Sequence, residues 1–203
     1  MSQSFRSSIF AMKTLVRCTV LAIAFAAALS ATAPALAQMG NASDTPAQSA
    51  AKPLPSPPAV ATVELNGQTI TIHYNTPSMR GRKIMGGLVP YDKVWRTGAN
   101  PATTLITPID LTIGDLKVPA GTYTLFTLPS AGTWQFIVSR KTGEWGIPYP
   151  EGFDLGRTDM RHNKLPAPQE VMSLSFENTK KHSTQLHVKW ETTDEWVKIE
   201  AAK

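Results

Sequence analysis

The densest supply of groups that could do chemistry lies in residues 76–100, TPSMRGRKIMGGLVPYDKVWRTGAN, where Arg80, Arg82, Lys83, Lys93 and Arg96 face a single acid, Asp92. Arginine offers a planar fork of N–H donors that fits a carboxylate or phosphate. Gly81, Gly86, Gly87 and Gly98 would let backbone amides approach such a ligand closely. The string is not a phosphate loop, because it has no GxxxxGK(S/T) and no helical period follows it. The same cations could instead pair with carboxylates and carbonyls of a loop folded over a sheet. Just upstream, His73 and Asn75 are two apart in an alternating segment, so their side chains share one strand face. A histidine with such a neighbour could act as acid, base or metal ligand; a lone strand histidine can equally be plain surface.

Other chemistries find less support. There is no GxSxG, and Ser78 has no base beside it in sequence. Glu144, Glu151, Asp154 and Asp159 could serve glycoside cleavage only if the fold brings two of them to the needed separation. Trp95, Trp145 and Tyr149 could stack on a sugar or ring, or cap the core. His182 and His187 fall on opposite faces if both are extended, His162 lies elsewhere, and no HExxH is present. No metal and no cofactor is expected.

Strands must position these groups, since no stretch has a convincing helical period. Residues 60–65 and 69–74 flank Asn66-Gly67, the strongest short hairpin signal, with Ile70, Ile72 and Tyr74 inward and His73 outward. Strands are also expected at 103–107, 109–113, 116–118, 122–128, 134–139, 172–176, 186–190 and 196–200. The one at 122–128 carries bulk on both faces, as a central covered strand would. Residues 140–168, rich in Pro and Gly, read as a second irregular stretch. The expectation is an all-β, single-domain antiparallel sandwich of roughly nine or ten strands with one long, ordered Gly/Arg-rich loop. That loop holds Ile84, Met85, Leu88, Val89, Val94 and Trp95, which argues for order.

The N-terminus reads as an export signal: Lys13 and Arg17 precede an apolar run over 20–29, and Ala35-Leu36-Ala37 fits cleavage after Ala37. The run is too short to span a bilayer. A periplasmic or secreted protein is expected, with residues 38–59 an Ala/Pro/Ser-rich tether and 60–203 the domain. Three of the 20 Lys and Arg lie in the signal, while all 15 Asp and Glu lie beyond it. That leaves 17 cations against 15 acids, a formal charge of +2. Such a balance gives no field for nucleic acid or a membrane surface. The only cysteine, Cys18, leaves with the signal, which excludes disulfides, thiol catalysis and Cys-ligated metal.

The string RGRKIMGGLVPYDKVWRTGAN, then ATT, VPAGTYTLFTLP, a Trp and later EWG, resembles the bacterial family catalogued as domain of unknown function 2911, strongly over about residues 73–145 and weakly through LHVKWETT. The resemblance implies an exported protein and carries no activity. From the residues themselves, the leading expectation is non-enzymatic binding of a small anionic or sugar-like ligand, or of an envelope partner. The cleft for it would be lined by His73, Asn75, Arg80, Arg82, Arg96 and Asn100. A hydrolase using His73 as acid or base, with Arg96 holding an anionic group, is the second class. A structural envelope protein is the third.

Overall fold

A computed structural model describes residues 55–202; the expected signal and most of the expected tether lie outside them. The described chain is all-β: ten strands form two antiparallel sheets. The first sheet runs β1 (Pro58–Leu65), β2 (Gln68–Asn75), β3 (Thr103–Thr107), β6 (Gly121–Leu128), β7 (Gln135–Ser139) and β8 (Asp154–Asp159) in spatial order. The second runs β5 (Leu116–Val118), β4 (Leu111–Ile113), β10 (Ser183–Ala201) and β9 (Arg161–Lys180). Ile72, Leu105 and Phe136 from the first sheet share one apolar cluster with Ile113, Val188 and Ile199 from the second, the arrangement of a sandwich.

Local sequence accounts for much of this. The β1–β2 hairpin closes on Asn66 and Gly67, with φ of 53° and 74°, as a primed two-residue turn requires. β6 is buried on both faces: Tyr123 and Leu125 enter the main core, while Phe126 joins Ala102 and Ile137 in a second cluster on the outer face. Tyr149 seals that cluster edge-on, its ring centroid 5.0 Å from that of Phe126.

Two expectations need correction. Residues 140–168 are not irregular throughout, because they contain all of β8 and the start of β9. These are edge strands, which can be polar and can hold proline. Pro166 and Pro168 sit where β9 carries extra residues, between the pairs Gln169↔Glu191 and Lys164↔Thr193. Nor are 186–190 and 196–200 separate strands, since β10 runs through both. At Glu191, with φ of 55°, a register shift inverts its faces: Leu186, Val188 and Trp190 point inward before it, Val197, Ile199 and Ala201 after it.

The connection from β2 to β3 has no strand of its own and leans on both sheets. Met79 N donates to Glu170 O at 2.8 Å, and Pro77 O accepts from Met172 N at 2.9 Å, tying it to β9. Further on, Ile84 N and Met85 N donate to Glu191 Oε1 and Oε2, each at 3.2 Å. Trp95 then exchanges both main-chain hydrogen bonds with Thr127 of β6, at 2.8 and 2.9 Å. Ile84 and Val89 are buried in the core, and Trp95 stacks on Trp190 with centroids 6.0 Å apart. Replacing Glu191 by Ala strips two amides of their acceptor, so urea unfolding is expected to show a loss of about 1–3 kcal/mol. Hydrogen exchange at Ile84 and Met85 should accelerate in the same variant. Unchanged exchange there would remove the anchor from the account.

Candidate functional site

The candidate residues of the basic stretch divide between two tasks. Asn75 and Asn100 both donate through Nδ2 to Ser56 O, at 3.1 and 3.0 Å, and Arg80 Nη2 donates to Pro55 O at 2.7 Å. With Thr76 on Pro57 O, these side chains hold the segment that leads into β1. His73 lies exposed on the outer face of β2, between Val60 of β1 and Thr104 of β3. It shares with Asn75 a mostly apolar hollow of about 320 Å³. Among the described residues its ring has no hydrogen bond, so nothing there orients an acid or base.

Arg82 and Arg96 are brought together elsewhere, on the walls of another cleft of about 320 Å³. Trp95, Trp190, Leu88 and Ile147 line it with them, and among the described residues that line it none is acidic. Arg82 donates through Nε to Met79 O at 2.9 Å and through Nη2 to Ser78 O at 2.7 Å. Arg96 donates through Nη1 to Trp145 O at 3.0 Å, and its guanidinium lies 5.3 Å from the centre of the Trp145 ring. Burial lowers the Arg96 pKa from its ordinary value, yet guanidinium keeps its proton. The acceptors are neutral carbonyls, so among the described residues neither charge is compensated within the cleft. This is a wall that can hold a carboxylate or phosphate beside an aromatic and aliphatic surface. Leu88 and Ile147, 47% and 67% exposed, extend that apolar surface to the rim.

Volume does not single this cleft out. One of about 440 Å³ lies beside Arg157 and Trp196, and one of about 360 Å³ is lined by His162 and Glu195. His162 Nδ1 is 2.7 Å from Glu195 Oε1, and Glu195 is only 2% exposed. Burial raises the Glu195 carboxyl above its ordinary 4.5, the His162 hydrogen bond and charge oppose this, and Asp194 adds to the rise. On the other side of β10, His187 is buried with Nδ1 2.7 Å from Asp194 Oδ1, while His182 contacts Asn66. Among the described residues no cluster of three or more His, Cys, Asp or Glu is placed to hold a metal.

The aromatic and acidic residues picked out by type alone meet different ends. Trp95 lies in the arginine cleft, Trp145 is exposed under Arg96, and Tyr149 caps the outer cluster. Asp154 is engaged by Arg157 and Tyr149, and Glu144 lies 3.6 Å from Lys141. Trp190, Ile147, Glu191 and Glu195 went unremarked as site residues. Trp190, Glu191 and Glu195 gain their places from partners far away in sequence, and no local pattern marks them.

The fold and clefts define an all-β sandwich whose long basic connection spans both sheets. A family model described as "Protein of unknown function (DUF2911)" matches residues 56–199, and the chain belongs to that family. The resemblance carried by the 80–100 string is therefore borne out, and the family brings no activity with it. No curated protein and no solved structure matches the chain.

The raised Glu195 carboxyl has a measurable consequence. A carboxyl that holds its proton more tightly folded than unfolded stabilises the fold fully below the unfolded pKa and loses that contribution as pH rises through the folded value. Relative to Glu195→Gln, the wild type is therefore expected to be favoured most below pH 4.5 and progressively less toward neutrality, measured as unfolding free energy in urea. A gap between the two proteins that grows with pH would reverse the assignment.

Proposed function

We propose that this is an exported, non-enzymatic binding protein for a small anionic ligand with a flat or aliphatic body, taken up in the Arg82–Arg96 cleft. The observation that carries this reading is the pairing of both guanidinium groups with neutral carbonyls in a cleft that no acid among the described residues lines. An arginine paired with a carboxylate has spent its charge on the fold. One held by carbonyls is oriented and still positive, which is how a preorganised anion site is built. Trp95 and the Leu88 and Ile147 side chains supply the surface for the ligand's apolar part, with the buried Trp190 stacked on Trp95.

Export rests on the sequence of residues 1–37 alone. Asn75, Arg80 and Asn100 support the cleft by holding the neighbouring segment, and Ser56 of that segment lines the cleft. A sugar acid or an aromatic carboxylate fits this chemistry better than a neutral sugar, because the polar groups offered are cationic.

Titration with phenyl phosphate, benzoate and octanoate, followed by tryptophan fluorescence and by thermal shift, tests the proposal. Binding is expected to perturb the emission and raise the melting temperature, with neutral benzyl alcohol inert. Arg96→Ala and Arg82→Ala should each weaken the affinity by about tenfold or more, the loss of one charge-assisted contact. Absence of any response to the three anions, or equal response in the arginine variants, would sink it.

A further inference from the structure

The cleft of about 360 Å³ beside His162 has the opposite character. Its titratable side chains include His162 and Glu195, and among the described residues that line it there is no Lys or Arg. Glu195 belongs to β10 and pairs in register with His162 of β9, so the two side chains rise from directly opposed backbone positions. The ring and the carboxyl are hydrogen-bonded, Nδ1 to Oε1, at 2.7 Å. Among the described residues Oε2 has no hydrogen-bond partner, yet no buried side-chain oxygen or nitrogen is left unpaired. The second oxygen is therefore not sealed in protein; it opens to the cleft that Glu195 lines.

An oxygen that opens to the cleft, on a residue only 2% exposed, can accept from a donor that a bound molecule brings in. Among the described residues, nothing in the lining supplies one with a charge to match. The walls around it are the rings of Tyr91 and Trp134 and the thioethers of Met85 and Met160, polarisable surfaces that favour a cation over an anion. Asp194 lies near enough to act on Glu195 as a second negative group. A metal ion fits poorly, since the histidine nitrogen nearest the carboxylate is already committed to it. An ammonium group fits well: it brings N–H donors for Oε2, a charge to balance the carboxylate, and a face for the aromatic walls.

We propose that this cleft is a second binding site, for a small organic amine whose ammonium group docks on the open oxygen of Glu195. The volume suits an amine of a few carbons or a single ring, with the apolar body against Tyr91 and the methionines. The site shares no charged residue with the arginine cleft, so it stands or falls separately from the function proposed above.

The test is a titration of the purified, isotope-labelled protein with phenethylamine, followed by backbone amide shifts. Saturable shifts are expected at Gly132, Thr133 and Thr193, which border the cleft. Phenethyl alcohol, which lacks the charge, and tetramethylammonium, which lacks N–H donors, should bind about tenfold more weakly or worse, as loss of one charge-assisted hydrogen bond implies. Glu195→Gln should weaken phenethylamine by about the same factor. Should that variant fail to fold, Tyr91→Ala, at a position 38% exposed, serves instead and is expected to weaken binding several-fold. Shifts confined to other regions, equal binding of the alcohol or of tetramethylammonium, or unaltered affinity in the variant that folds would each overturn the proposal.

Discussion

The two hydrogen bonds from Ile84 and Met85 amides to the Glu191 carboxylate are the constraint on which the rest depends. A connection with no strand of its own, laid against a core, must find acceptors for its amides somewhere. For Ile84 and Met85 it finds them in Glu191, where β10 bulges with a φ of 55°. The same bulge inverts the faces of β10, so that Trp190 ends the inward set on one side and Val197 resumes it on the other. Trp190 is thereby delivered to Trp95, and the connection is clamped between a carboxylate and an indole of neighbouring residues. Remove the bulge and both the core alternation and the anchor lose their register together.

Partner choice explains how a nearly neutral domain keeps a positive cleft. Guanidinium groups buried with carboxylates cancel within a few ångströms, and their field is lost to any ligand. Here Arg80, Arg82 and Arg96 are held by the carbonyls of Pro55, Met79, Ser78 and Trp145. A carbonyl orients the fork without neutralising it. The desolvation that accompanies Arg96 shows in its lowered pKa. That strain is tolerable because the Trp145 ring and carbonyl meet the charge from the protein side.

What the sequence disclosed follows from which forces are local. The Asn66-Gly67 turn and the double burial of β6 are written in adjacent residues, and both appear as expected. Clustering of cations with apolar residues in 76–100 likewise marked a segment that the core holds at Ile84 and Val89. Alternation fails where a strand has no apolar face to alternate. Arg161, His162, Asn163 and Lys164 are all exposed, and only the β10 ladder makes them a strand. The prolines that argued against a strand are tolerated because β9 is an edge and bulges where they fall. Glu191 and Glu195 were illegible for a related reason: one meets amides 107 and 106 residues away, the other a histidine 33 away. A charge pattern read along the chain cannot anticipate partners that only sheet register supplies.

The two clefts are joined by their walls more than by their chemistry. Met85 and Tyr91 line the acidic cleft, while Leu88, Val89 and Trp95 line the basic one. These alternate along one short stretch of the same connection, so it is the partition between the two clefts. A partition has to be stiff if each side is to keep its geometry. Gly86 N donates to Val89 O at 2.9 Å, Leu88 N to Lys83 O at 3.1 Å, and Val89 N to Ile84 O at 3.0 Å, which closes the stretch into a knot of short-range bonds. Gly86, at φ 72°, lets the ring of Tyr91 lie so close that an added Cβ would sit 2.9 Å from it. The glycines that first suggested room for a ligand are thus used, at this position, to pack the wall itself. In the two proposed sites, recognition falls to the side chains on either side of it, Arg82 and Arg96 on one and Glu195 on the other.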